Sequence, residues 1–161
     1  MVLARSSWIR RSGRPCVVPS TQRDLPILPN FFLAVKGPDG SPNVARLQAN
    51  YDGTLGERGM RVLITSFGKP APDIDNIAHT TPCTYQSGFL VIYAIHSLRS
   101  ELPKPRIEYF MTKIGAYAIT GSSRGFREGV AAYRSAKDWA KQQRDTAIKN
   151  ANERATGSYD S

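Results

Sequence analysis

Five apolar residues in a row, Phe31-Phe32-Leu33-Ala34-Val35, run into Lys36 and the sequence Gly37-Pro38-Asp39-Gly40, and Ser41-Pro42 follows at once. An unbroken apolar run of this length predicts a strand covered on both faces, and so a central one. Proline and glycine after Lys36 predict a turn. Ser41 is a helix N-cap and Pro42 suits the first helical position, because its missing N–H is one the helix leaves unpaired there anyway. Strand, turn and helix start in succession commit the chain to an α/β architecture.

In the helix from Pro42, Val44, Leu47, Tyr51 and Leu55 recur at spacings of three, four and four, a stripe expected to pack on the sheet, with Gln48 beside it. Gly53, Gly56 and Gly59 follow at every third position. They either open a bare strip where another backbone approaches closely or break the helix near 53 to 56. Helical character continues to about Ser66, with Met60, Leu63, Ile64 and Phe67 as apolar contacts. After a Pro- and Gly-marked loop at 68 to 73, residues 77 to 85 and 89 to 97 flank Gln86-Ser87-Gly88 as an antiparallel hairpin. Residues 89 to 97 are apolar on both faces, which predicts a central strand; Pro82 pushes its partner towards an edge or a bulge. A short strand is expected at 106 to 110. Thr112 then caps a short helix over 112 to 119, although the alternation of Ile114, Ala116 and Ala118 also suits a strand. From Ser123 a long helix runs to about Arg154, burying Phe126, Val130, Tyr133, Ala136, Ala140 and Ala147, with its last two turns expected to fray. The expected fold is a small mixed β-sheet flanked by helices.

With 161 residues, 40% of them apolar and 22% charged, the chain has the length and composition of one globular domain. Residues 1 to 26 form a basic tail expected to be disordered, 27 to 154 the domain and 155 to 161 a second tail. The net charge of +9 favours a polyanionic partner such as DNA or RNA. Five of those charges, Arg5, Arg10, Arg11, Arg14 and Arg23, precede Asp24, so the remaining chain carries only +4. Cys16 and Cys83 cannot build a disulfide framework and have no metal-ligand spacing, which points to a reducing compartment. No apolar run reaches the roughly 20 residues of a membrane span. The expectation is an intracellular protein, nuclear or cytoplasmic, with no membrane partner; the Arg- and Ser-rich start also fits a mitochondrial transit segment.

The runs F-F-L-A-V-K-G-P-D-G-S-P, R-L-Q-A-N-Y-D-G-T-L-G-E-R-G-M, M-T-K-I-G-A-Y-A and F-R-E-G-V-A-A-Y-R-S-A-K-D-W-A together resemble an uncharacterised fungal protein family associated with the PD-(D/E)xK nucleases. The resemblance spans about residues 27 to 154. It implies a restriction-endonuclease-like fold, truncated at its N-terminus. In such nucleases two carboxylates hold Mg²⁺, which makes hydroxide from water and stabilises charge developing on phosphorus, while a lysine orients that water. The resemblance places the strand carboxylate at position 34, the lysine at Lys36 and the helix glutamine at Gln48. Position 34 is alanine. A degenerate site is therefore implied, one that binds nucleic acid with weak or no Mg²⁺-dependent cleavage; a rival reading is a non-catalytic protein-interaction or structural module. Lys36 and Gln48 are the candidate catalytic pair. Asp24 and Asp39 are the candidate metal ligands, Asp52 being weighed beside Asp39 as a rescue ligand but read, before glycine, as a helix-surface residue, with Mg²⁺ expected only if a site is assembled.

Beyond that motif, Arg46, Arg58, Arg61, Lys69, Arg124 and Arg127 either line a phosphate-binding face or belong to a mixed surface shared with Glu57 and Glu128. His79 and His96 have no Cys or second His at ligand spacing, and are read as hydrogen-bonded strand histidines. No Ser-His-Asp order, phosphate-binding loop or dinucleotide glycine pattern occurs.

Overall fold

A computed structural model describes residues 28–65, 76–100 and 106–157, with side chains as far as Arg154. Within these residues four strands and two helices follow in the order β1 (Phe31–Lys36), α1 (Pro42–Thr65), β2 (Thr81–Gln86), β3 (Phe89–Ser100), β4 (Arg106–Ala118) and α2 (Ser123–Gly157). The sheet is mixed, in the order β1-β2-β3-β4. β1 and β2 are parallel neighbours joined through α1, and the other pairs are antiparallel.

The turn after β1 closes through Gly40 N–H to Gly37 C=O at 3.0 Å, with Pro38 in its second position. α1 begins at Pro42 and is one unbroken helix, so its glycines do not divide it. They bring the helix down onto the sheet. A Cβ on Gly53 would lie 2.7 Å from Ile95 Cγ1 and 2.8 Å from Pro82 Cγ, and one on Gly56 2.7 Å from Phe32 Cε2 and 3.0 Å from the Pro29 carbonyl oxygen. The buried face of α1 is consequently Ala45, Ala49, Gly53, Gly56, Glu57, Gly59, Met60 and Leu63. The stripe of larger residues points the other way. Val44, Leu47, Tyr51 and Leu55 are 50, 64, 66 and 47% exposed, which overturns their expected packing on the sheet. Periodicity located an amphipathic face but not which face the sheet takes, and close approach of backbones selected the small one.

β1 lies at the edge of the sheet rather than at its centre, and Leu33 and Val35 are exposed. An apolar run therefore did not mean coverage on both faces here. β3 is central, as its two apolar faces predict. Pro82 is on an inner strand instead of an edge; the Thr80–Ile95 bridge and the Cys83–Ile92 pair keep one register, and the ladder is interrupted between them where proline has no N–H to give. On the other side of β3 the register with β4 shifts between Ile92 and Tyr93, leaving Ile114 as the extra residue of a bulge. The two-residue hairpin Ser87-Gly88 has φ of 46° and 84°, the positive pair that a type I′ turn needs.

The helix expected over 112 to 119 is absent: β4 continues unbroken to Ala118, so the strand alternative is the one adopted. Ser122 caps α2 instead, accepting from Gly125 N–H on its Oγ at 3.0 Å. α2 covers the face of the sheet opposite α1. Cys83, Leu90 and Ile92 form the core on that side, packed by Phe31, Tyr117, Ala132, Tyr133 and Ala136. Phe126, expected in the buried stripe, is exposed. The C-terminal turns of α2 do not dangle: Ala147 and Ala151 join Met60 and Leu63 in a second cluster, and Arg154 donates to the Ile64 carbonyl at 2.7 Å.

Candidate functional site

Register places one row of residues across the end of the sheet: Lys36 pairs with Gln86, Gln86 with Phe89 and Phe89 with Ala118. The first turns of both helices belong to this same end, because α1 follows β1 after one turn and α2 follows β4 after a few residues. Ligands of open α/β sheets gather outside the carboxyl ends of parallel strands, where helices begin.

Lys36 and Gln48 meet there. Lys36 Nζ donates to Gln48 Oε1 at 3.0 Å across twelve residues of sequence. Strand alternation puts Phe32, Ala34 and Lys36 on the α1 face, with Ala34 only 5% exposed. Arg46, exposed on α1, borders a hollow between the helix start and the β2–β3 hairpin. Gln86 donates its side-chain amide to the Gly40 carbonyl, tying the turn after β1 to β2. On the α2 side, Arg127 is exposed and Arg124 donates to Glu128 at 2.8 Å.

No match was found. Family models, curated proteins and solved structures all fail to pair with this chain.

Not every predicted residue joins the sheet end. Arg58 and Arg61 lie three to four turns farther along α1, about 18 Å beyond Arg46 for Arg58 at 1.5 Å per residue. Arg61 turns inward and donates to Ser97 Oγ at 2.8 Å. Asp39 is exposed in the turn after Lys36, and Asp24 and Lys69 lie outside the described residues. Among the described residues no group of three His, Cys, Asp or Glu side chains could hold a metal ion. No helix among them is long and apolar enough to cross a membrane. His96 stacks on Phe110 with ring centroids 5.7 Å apart.

A polar cluster at the opposite end of the sheet was missed by sequence reasoning. Glu57, read as a surface acid, is fully buried; it accepts from His79 backbone N–H at 3.0 Å on Oε2 and meets His79 Nδ1 at 2.9 Å with Oε1. A carboxylate accepts from the ring only when Nδ1 carries a proton, as it does in one neutral tautomer and in the imidazolium. Asn30 joins the same junction, donating to the His79 carbonyl at 2.9 Å and to the Ala140 carbonyl of α2 at 2.6 Å. The signal available was position: Glu57 is the one acid inside the glycine strip that faces the sheet. Cys83 is equally sequestered, and burial pushes its thiol up to about 12, which removes it as a nucleophile at neutral pH.

Proposed function

We propose that this domain binds nucleic acid through the sheet end that carries Lys36, Arg46, Arg124 and Arg127, without Mg²⁺-dependent cleavage. The observation that carries the reading is the Lys36–Gln48 hydrogen bond, which joins a strand-end lysine to a helix glutamine at the place where both helices start. A lysine there, with exposed arginines on two elements, supplies phosphate contacts of the sequence-independent kind. Alanine at position 34 withholds the carboxylate that a metal-dependent nuclease would need beside that lysine. Mg²⁺ is accordingly not a required partner in this reading.

Anisotropy titrations with labelled DNA and RNA test it. Affinity should fall steeply between about 50 and about 200 mM salt, and Lys36→Ala or Arg127→Ala should each lower the log–log slope by about 1. Arg58→Ala, at the far end of α1, should leave the slope unchanged. Metal-dependent cleavage lost in Lys36→Ala would return the chain to the nucleases.

The outward stripe of Val44, Leu47, Tyr51 and Leu55 favours a second reading, a protein-interaction module. No retention of the protein on DNA or RNA at low salt decides for that alternative.

A further inference from the structure

The hollow beside Arg46 has a composition that phosphate binding does not require. It measures about 520 Å³, within the roughly 300–1,000 Å³ span of small-ligand sites, and is lined by Asn43, Arg46, Thr84, Gln86, Phe89 and Tyr93. Phe89 is 59% exposed although it opens a central strand. Gln86 reaches the Gly40 carbonyl with its amide nitrogen. The row Lys36, Gln86, Phe89 connects the hollow to the lysine on β1.

We infer that the hollow receives an unpaired base, and that the ligand class of this domain is single-stranded nucleic acid. The inference rests on the nucleic-acid reading above and narrows it. A duplex keeps its bases stacked inside and presents phosphates and groove edges but no free base; a base enters a pocket when it is unpaired or splayed out. Phe89 gives such a base a ring to stack on, which every base can use. Asn43, Thr84 and Gln86 bring amide and hydroxyl groups to its edge. Arg46 at the rim takes the adjoining phosphate, and Lys36 the next along the row.

The test uses the full chain and fluorescein-labelled oligo(dT) and oligo(rU) of about twelve nucleotides, a length typical of single-strand sites, beside a blunt duplex of equal length. Single strands should bind at least tenfold tighter than the duplex. Phe89→Ala should weaken single-strand binding about tenfold while leaving duplex affinity and the salt slope unchanged, and Phe89→Tyr should restore it. Arg46→Ala should lower the slope on both probes. The DNA and RNA arms decide which sugar is preferred. Equal affinity for duplex and single strand, or a Phe89→Ala variant within twofold of the parent, overturns the unpaired-base inference and leaves the phosphate reading standing. Free mononucleotide competing as well as the strand would overturn the strand as occupant. Failure of every probe to bind at low salt sinks the nucleic-acid reading itself.

Discussion

Replacing Glu57 by alanine should destabilise this protein more than any surface substitution, and the size follows from two hydrogen bonds. Glu57 is fully buried, and its two oxygens take His79 N–H at 3.0 Å and His79 Nδ1 at 2.9 Å. Alanine leaves both groups facing the junction of α1 with the segment before β2, with no acceptor in place. Each buried donor left unsatisfied costs about 1–3 kcal/mol, so the pair costs about 4 kcal/mol in the middle of the range. For a domain of this size that is a fall in Tm of roughly 8–16 °C. Glutamine separates hydrogen bonding from volume. Its carbonyl can accept from His79 N–H and its NH₂ can donate to Nδ1 once the ring proton has moved to Nε2, so Glu57→Gln should cost only about 1 kcal/mol. Urea unfolding gives the energies, and ¹⁵N shifts of the His79 ring should report the proton on Nδ1 in the parent and on Nε2 in Glu57→Gln. An alanine variant within about 1 kcal/mol of the parent refutes the reasoning, because it would mean that neither bond contributes to stability.

Gly56→Ala should destabilise by about 1–2 kcal/mol in urea unfolding: the gain of about 1 kcal/mol in helix propensity is outweighed by a Cβ 2.7 Å from Phe32 Cε2 and 3.0 Å from the Pro29 carbonyl oxygen. Leu47→Lys and Tyr51→Lys should each change stability by less than about 0.5 kcal/mol, since both side chains point outward; a loss of several kcal/mol would mean that the stripe is covered. Burial raises the Cys83 thiol from 9.0 to about 12. Between these values the unfolded chain releases the proton while the folded chain keeps it, so this thiol makes stability fall as pH rises above about 9, by roughly 1.4 kcal/mol per unit. Cys83→Ala should lack that share of the slope in urea titrations at about pH 9 and about pH 10.5, and peptide mapping should find Cys83 unalkylated in the native protein.

Local chemistry was the legible part of this fold. Pro-Asp-Gly after Lys36, Ser41-Pro42, and Ser87-Gly88 fix backbone angles within a few residues, and each turn or helix start fell where those residues put it. The apolar double face of Phe89 to Ser97 likewise identified the central strand. What failed were statements about neighbours. Phe31 to Val35 carries nothing to say that, among the described residues, only β2 pairs with it, and Val44 to Leu55 carries nothing to say that glycine and alanine will win the sheet face. Residues 112 to 119 were ambiguous because their alternation fits both periods, and pairing with β3 resolved it. Of the candidate site, Lys36 and Gln48 were named only by the family resemblance, and the fold adds the hydrogen bond between them; Arg46 lines the hollow beside the β2–β3 hairpin, and Arg58 and Arg61 were indistinguishable from it until the helix length separated them. Glu57 was hidden because an acid reads as exposed until its partner, twenty-two residues away, is in place.

The inverted packing of α1 also bears on how this sequence can change over time. On most helices the large apolar residues resist substitution and the small ones drift. Here the contact surface is made of absence: Gly53 and Gly56 are where Ile95, Pro82 and Phe32 come to rest, and any added atom meets them. Relatives of this protein should therefore hold glycine at these two positions through long divergence, while Leu47 and Tyr51 vary as freely as their own contacts allow. A profile weighted by hydrophobicity would align such relatives on the wrong face of the helix.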